Sequence, residues 1–434
     1  MNKEKQKIVP ELRFPEFRNN KGWKIEPLND VYSFKITNSF SRDKLNYEKG
    51  TVKNIHYGDI HTKFSTHFDI TKEKVPYINP DISIDRIDKD NYCEEGDLVI
   101  ADASEDMDDI GKSIEIINLN NEKLLAGLHT FLARPIDSKI TTGFGGHLFK
   151  SNGLRIQIKK EAQGAKVLGI SKGRLANLDV YYPDDELEQQ KIANCLSSLD
   201  NIITLEIEKL DLLKDHKKGL LQQLFPAEGE TKPQFRFPEF ENDGDWKKEE
   251  IEGLFRFKQG LQVPTENQFP TKEEGMVRFI RIIDITSSSE PPRFIDKPDS
   301  DHLIQQRDLF MIRYGTPGVI SIGLEGVIAN NLFRLIWKLN STINSIFWFY
   351  AFQNMEKKIF SLSSSSSMPA ISFSTLNNLD IQFPKNPKEQ QKIANCISSA
   401  DELIVKQMQK IKTLKKHKKG LMQQLFPNVN SLVI

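Results

Sequence analysis

Glu188–Cys195 (EQQKIANC) recurs unchanged at Glu389–Cys396, and Lys217–Pro226 (KKGLLQQLFP) recurs at Lys418–Pro427 as KKGLMQQLFP, both displaced by 201 positions. Between these fixed ends the apolar residues follow a four-three spacing. In the first copy the seam is Ile192, Leu196, Leu199, Ile203, Glu206, Leu210, Leu213, Lys217, Leu220 and Leu224; in the second it is Ile393, Ile397, Ala400, Ile404, Gln407, Ile411, Leu414, Lys418, Leu421 and Leu425. That is the pattern of a coiled-coil seam, with polar interruptions at matching places. Each run stops at a Phe-Pro pair, since proline disfavours helix in the residue before it. Asn386-Pro387 reads as a cap followed by proline at the first helical position. At 1.5 Å per residue, such a helix is a rod of about 58 Å. The economical reading pairs the two rods with each other as an antiparallel coiled coil, in a register whose residue numbers sum to 624, so that Glu206 faces Lys418 and Lys217 faces Gln407. Packing of each rod on its own globular unit or on another chain stays open.

Working outward, the repeat extends to the starts of both units. Arg13–Phe17 (RFPEF) recurs as Arg236–Phe240, Trp23-Lys24 as Trp246-Lys247 and Phe34-Lys35 as Phe257-Lys258, all displaced by 223 positions. Ile170-Ser171 recurs as Ile371-Ser372, and Asn177-Leu178-Asp179 as Asn378-Leu379-Asp380, at the displacement of 201. The edges are shared, and the middles differ in length by 22 residues, the difference between those two displacements. A constant frame therefore carries two different inserts, a pseudo-twofold internal repeat. The expected organisation is a first domain at 1–185, a helix at 186–226, a linker at 227–232, a second domain at 233–385, a helix at 386–427 and a tail at 428–434. Within the inserts Val52–Ile60, Asp97–Ala101, Val277–Ile285 and Asp308–Tyr314 read as buried strands bounded by Gly, Asp and Pro. The fold class is α+β: two α+β domains alternating with two long helices.

Length and composition fit this division. The 434 residues exceed what one core usually holds, and 38% hydrophobic with 28% charged residues is a globular composition. No apolar run reaches the 18 to 20 residues of a membrane span, and no apolar stretch follows the charged start MNKEKQKIVPELRF, so a cytoplasmic location is expected. Three cysteines at wide spacing exclude a disulfide framework and a cysteine-based zinc site. Sixty basic and sixty acidic residues cancel, so a polyanion would have to meet local basic patches.

Catalytic motifs are missing. Gly111-Lys112-Ser113 lacks the earlier glycine of a phosphate-binding loop, where Asp106 stands instead. Gly143-Phe144-Gly145-Gly146 lacks dinucleotide-binding spacing, and the eight histidines form no HExxH cluster. Neither a metal site nor a catalytic residue is expected.

What remains is binding. The first insert offers His56, Tyr57, His61 and Lys63, followed by Lys172 and Arg174. The second offers Arg278, Arg281, Arg313 and Tyr314, then Ser363, Ser364, Ser365, Ser366 and Ser367. Arginine forks suit guanine edges and phosphates, and serine hydroxyls suit phosphates. Taken singly, each is better explained as a solvated surface residue than as a ligand. The helices differ in charge: residues 389–427 hold eight Lys and three acids (+5), and residues 188–226 five Lys and six acids (−1).

Two variable domains alternating with near-identical helices that open with EQQKIA and close with KKGLLQQLFP or KKGLMQQLFP resemble the specificity subunit of Type I restriction–modification systems. The likeness spans essentially the whole chain, through the RFPEF starts, Ile55–Ile60 (IHYGDI), Ile280–Ile285 (IRIIDI) and the NLD segments. It implies two target recognition domains, each reading one half of a split, asymmetric site on double-stranded DNA, with helices that set the unread spacer. It also implies a chain without catalysis of its own, which recruits two methylation subunits and, through them, restriction subunits for phage defence. No cofactor is expected on this chain; S-adenosylmethionine, ATP and Mg belong to the partners. Two alternatives stay open: a related system whose methylase and nuclease share one partner polypeptide, and a coiled-coil scaffold that never reads DNA.

Overall fold

The computed structural model describes residues 8–287, 290–339, 343–364 and 367–427. Ser365 and Ser366, the expected tail 428–434 and the first seven residues of the first expected domain lie outside the described residues. The chain divides into two compact units, one formed by residues up to Ile207 together with those from Gln409 onward, the other by Glu208–Met408. The two long helices, Glu186–Leu224 and Pro387–Leu425, each begin in one unit and end in the other. Leu187 and Lys388 donate their backbone N–H groups to the side chains of Asp185 (2.9 Å) and Asn386 (3.0 Å), which cap the two helices.

In the first unit a frame ribbon pairs Lys24–Pro27 antiparallel with Asp179–Tyr182. In the second, Lys247–Glu250 pairs in the same way with Asp380–Phe383, at the displacements of 223 and 201 read from the sequence. A bidentate ion pair locks each ribbon to the start of its long helix. Arg13 Nε and Nη2 donate to the two Glu188 carboxylate oxygens at 2.8 and 2.6 Å, and Trp23 Nε1 adds a third bond at 3.2 Å. Arg236 holds Glu389 at 2.8 and 2.8 Å, with Trp246 Nε1 at 3.2 Å. Buried charges persist only when paired and fully hydrogen-bonded, and both carboxylates meet that condition.

The Phe-Pro helix ends close the cores. Phe426 stacks on Phe144 and meets Trp23 edge-on (ring centroids 5.6 and 5.8 Å) in the first unit. Phe225 does the same on Phe347 and Trp246 (5.7 and 5.8 Å) in the second. Each core thus contains the first turns of one long helix and the last turn of the other.

The inserts differ in length and sequence but share much of their sheet topology. The first carries a five-stranded sheet in the order 32–35, 130–135, 98–101, 113–118, 67–69, and a four-stranded sheet in the order 124–126, 53–55, 77–78, 45–46. The second carries two four-stranded sheets, 255–259, 332–337, 309–312, 320–321 and 293–296, 276–280, 326–328, 303–304. Common to both are the antiparallel order 32–35, 130–135, 98–101, matched by 255–259, 332–337, 309–312, and a strand (Lys53–Ile55 or Met276–Ile280) that pairs in parallel with a later one and then turns into a short helix. The strands expected over Val52–Ile60 and Val277–Ile285 are therefore half strand and half helix. Asp59 and Asp284 are buried at the first turn of these helices, and Arg281 N–H donates to the Asp284 carboxylate (2.8 Å). An acid three residues past the helix cap favours the turn over a continued strand.

All twenty seam positions of the long helices are buried or half-buried. The ion pairs beside the seam do not follow the expected register. Within the first unit Lys418 binds Asp200 and Lys410 binds Glu206; within the second Lys217 binds Asp401. These residue numbers sum to 616 or 618 rather than 624. In the first unit one helix segment ascends as its partner descends. The half-buried lysines take the nearest carboxylates, Asp200 and Asp401, which the four-three pattern leaves out because they stand one position past Leu199 and Ala400.

Candidate nucleic-acid interface

Four residues singled out in the first insert come together on and beside one short helix, Tyr57–Thr62. Gly127 packs on the strand before this helix: its N–H donates to the Ile55 carbonyl at 2.9 Å, and a Cβ at Gly127 would lie 2.4 Å from that oxygen. Only glycine permits that approach. His56 caps the helix, its Nδ1 accepting from the Gly58 N–H at 3.1 Å. Desolvation, then the nearby Arg42 cation, lowers the His56 pKa, which favours the neutral acceptor that the cap requires. Tyr57 stacks obliquely on His56 (4.8 Å) and meets His129 (5.3 Å) and His61 (6.2 Å) edge-on.

Beneath the helix lies Asp59, whose side chain is 1% exposed. Burial raises its pKa, but Arg42, which holds it at 2.7 and 3.0 Å, and Lys63 at 2.8 Å outweigh that and keep the carboxyl below its ordinary range. Two cations share the Asp59 carboxylate, and a second carboxylate, Asp102, stands by His129 on the same surface. Lys63 also donates to the Tyr47 hydroxyl at 3.2 Å. Arg42, Tyr47 and His129 are additions that the sequence does not single out. His129 is exposed at a left-handed φ of 58° and pairs through Nδ1 with Asp102 at 3.2 Å. A non-glycine residue held in that region is uncommon and marks a constrained position. Nothing local in the sequence predicts this meeting, because the sheet brings it about.

Lys172 and Arg174 stand on another helix, Lys172–Ala176, with other partners: Lys172 lies over the Phe34 ring (5.4 Å) and Arg174 bonds Glu161 (3.1 Å). In the second unit the arginines are largely engaged internally. Arg281 bonds Asp284 (3.2 Å), Glu290 (2.8 Å) and the Pro291 carbonyl (3.0 Å), and Arg278 lies 3.6 Å from Asp284. Arg313 donates to Gln259 (2.7 Å) and stacks over Phe373 and Tyr314 at 4.2 and 5.1 Å. Ser363 and Ser364 bond to the Phe360 carbonyl and the Ala370 N–H as parts of a turn, and Ser367 is exposed. Among the described residues no group of three His, Cys, Asp or Glu side chains is placed to hold a metal ion, and no helix is long and apolar enough to cross a membrane.

Two stretches, residues 20–215 and 243–416, match the family model for the Type I restriction modification DNA specificity domain. The chain belongs to the Type I specificity-subunit family. Each match spans one variable insert and most of one long helix. A specificity subunit described for the type I restriction enzyme MjaX of Methanocaldococcus jannaschii is 26% identical, over 93% of this chain and 92% of that one. The MjaVIII specificity subunit of the same organism is 24% identical over 62% of this chain and 66% of its own length. Two solved structures share the fold at 14% identity. The crystal structure of a Type I restriction–modification S subunit from M. genitalium superposes with a TM-score of 0.59 over 97% of this chain and all of that one. A chain from a study of complex assembly and conformational transition of the type I system gives 0.57 over 94% and 98%.

Proposed function

We propose that this specificity subunit reads a bipartite, asymmetric DNA target, one half with each insert, and that its long helices pair as an antiparallel coiled coil which fixes the unread spacer. The observation that carries the reading is the repeated strand-then-helix element placed in two unlike inserts, with His56 and Tyr57 at the head of one helix and Arg281 and Ile282 at the head of the other. A short helix is of a size to enter the major groove, whose edges distinguish all four base pairs. In the first insert Tyr57, His129 and Lys63 supply stacking, hydrogen-bonding and phosphate-directed groups together, while His61 is turned inward, its Nε2 bonded to the Ala103 carbonyl at 2.9 Å. The second reads its half with Arg278 and Arg281 at its short helix, and Arg313, Tyr314 and Ser363 are its further candidates.

The chain itself is non-catalytic in this reading. Two methylation subunits, carrying S-adenosylmethionine, dock on the helices and recruit restriction subunits that use ATP and Mg, all in the cytoplasm. The buried seam leaves apolar side chains exposed elsewhere on the rods: Ile202, Leu205 and Leu212 on the first, Leu403, Val405 and Met408 on the second. Exposed apolar residues in such concentration mark a protein-docking surface.

Mapping N6-methyladenine in cells that express this chain, with and without its methylation subunit, tests the reading. A split, asymmetric motif that requires both chains is the expected result. An active methylation subunit that gains no new motif from this chain rules the reading out.

A further inference from the structure

The second long helix ends beside a cleft that the repeat does not explain. The cleft, about 470 Å³ within the first unit, is lined by Lys150, Arg155 and Lys159 from the insert and by Lys415, Lys418 and Lys419 from the last turns of the helix. One acid, Asp108, lines it as well; it bonds Lys159 through its carboxylate and Arg155 through its carbonyl (2.9 Å). Lys418 is held by Asp200. Among the described residues Lys415 and Lys419 make no ion pair, and both are exposed.

Helix polarity does not account for this charge. Cations near a helix C-terminus are favourable, but both copies carry the same Lys-Lys-Gly there. The difference lies in the surrounding residues: where the first helix has Asp211 and Asp215, the second has Lys412 and Lys416, 201 positions on. Lys214, the counterpart of Lys415, is paired with Asp211 at 3.2 Å, whereas Lys217 and Lys418 are held alike in the two copies, by Asp401 and Asp200. The acid that neutralises Lys214 in one copy is replaced by Lys412 in the other. Lys150 at the cleft is exposed and donates to the Thr66 hydroxyl, and its ammonium faces repulsion from Lys418. A cationic cluster of this kind is relieved by an anion.

The cleft also connects to the tyrosine-histidine surface. Lys112 donates to the His61 carbonyl at 2.7 Å and reaches Asp109 at 3.3 Å, and Asp109 follows the Asp108 that lines the cleft. The link runs through paired groups and is not itself a basic track, but the cleft carries six bases against the single acid Asp108, and that excess favours a polyanion over a small neutral ligand.

On the reading that the first insert engages DNA, we propose that the cleft binds backbone phosphates of the duplex flanking the half-site read by that insert. The contribution is to affinity and register, without base preference, because phosphates carry no sequence information. It is asymmetric: the first half-site is gripped beyond its bases, and the second has no equivalent through the end of the first helix.

The test uses the full chain assembled with its methylation subunits and a fluorescent duplex carrying the methylated motif, with a scrambled duplex beside it. Lys415→Gln with Lys419→Gln, two exposed positions, is expected to weaken binding to both duplexes by the same factor. It should also flatten the plot of log affinity against log salt by about 1.8, or 0.9 for each phosphate that is no longer neutralised. Lys415→Arg with Lys419→Arg should restore the slope. An unchanged slope in the glutamine variant overturns the proposal. So does an unchanged slope with weaker capture of the methylation subunits, which assigns the cleft to an acidic protein surface. A parent complex that binds no duplex above background overturns the DNA-reading function itself.

Discussion

Arg13 and Glu188, 175 residues apart, close a bidentate ion pair in which the guanidinium is 8% and the carboxylate 1% exposed. Arg236 and Glu389 close its copy with the same exposures. One partner comes from the start of a frame and the other from the first turn of the following helix, so the pair sets where each rod leaves its domain. Removing one member of a buried pair strands the other charge at a cost of roughly 3–5 kcal/mol. Glu188→Ala and Glu389→Ala should each lower the melting temperature, and hydrogen exchange should place the lost protection in the unit that carries the substitution. A loss of less than about 1 kcal/mol would mean that the ribbons hold the helices without the pair.

His147 makes the first unit sensitive to acid. It is fully buried, its ring 4.5 Å from that of His67 and its Nε2 3.2 Å from the Ser197 hydroxyl. Burial, then repulsion from His67, Lys418 and Lys150, holds its pKa well below the ordinary 6.5. Above pH 6.5 the side chain is neutral in both folded and unfolded states and no penalty exists. As the pH falls below 6.5 the unfolded chain takes up a proton that the folded chain refuses, and stability declines by at most about 1.4 kcal/mol per pH unit. Denaturant titrations between pH 7.5 and 5 should show this decline, and His147→Gln should flatten it. Parallel pH curves for the parent and the variant would assign the acid sensitivity elsewhere.

The reading surface yields two separable substitutions. Tyr57→Ala removes a stacking body without touching a charge, so it should alter one half of the methylated motif and leave the other intact. The expected cost is roughly 1–3 kcal/mol against the matched site. Lys63→Gln removes a cation, so it should weaken binding to all sequences alike and reduce the salt slope by about one. Sequencing of N6-methyladenine and binding titrations measure these effects. A change in both halves from Tyr57→Ala would contradict independent reading by the two inserts.

Two exposed rod residues bear on assembly. Leu205 and Val405 are 62% and 64% exposed on the long helices. Leu205→Glu with Val405→Glu should leave the melting temperature unchanged within about 0.5 kcal/mol of stability, as surface substitutions usually do. The same variant should weaken assembly with the methylation subunits at least tenfold by analytical ultracentrifugation. Unchanged assembly would move the docking surface off this part of the rods.

The frame is legible in the sequence and the reading surface only in part, for physical reasons. Near-identical segments such as EQQKIANC and KKGLLQQLFP declare the helices and their ends, because a seam and a Phe-Pro stop are local patterns. The Arg13–Glu188 pair lies within reach too, since both residues sit in repeated segments, yet the contact is tertiary and no periodicity announces it. The short helix after Ile55 reads as strand because Val52–Ile60 is a short segment between turn residues and its cap, His56, is not one of the usual Ser, Thr, Asp or Asn caps. What turns the chain is Asp59 with Arg42, a partner 17 residues back. Charge alone singles out the arginines of the second insert, but Arg281 and Arg313 spend most of their donors on the protein itself. The register of 624 fails because it matches polar seam positions with one another, while Lys217 and Lys418 take carboxylates that flank the seam.

If the rods set the spacer, lengthening them must lengthen it. One heptad adds about 10.5 Å of helix and restores the seam, so it preserves the packing face while displacing the ends. At 3.4 Å per base pair that is about three base pairs. Because the segments run antiparallel where Asp200 meets Lys418 and Glu206 meets Lys410, seven residues must enter both helices at matching places. The doubly extended chain should methylate the same two half-sites separated by about three more base pairs. An insertion in one helix alone should disturb the ion pairs and lower stability without giving a clean new spacing. Single-molecule sequencing reads the outcome directly: an unchanged spacer in the doubly extended chain would show that the inserts, rather than the helices, fix the distance between the half-sites.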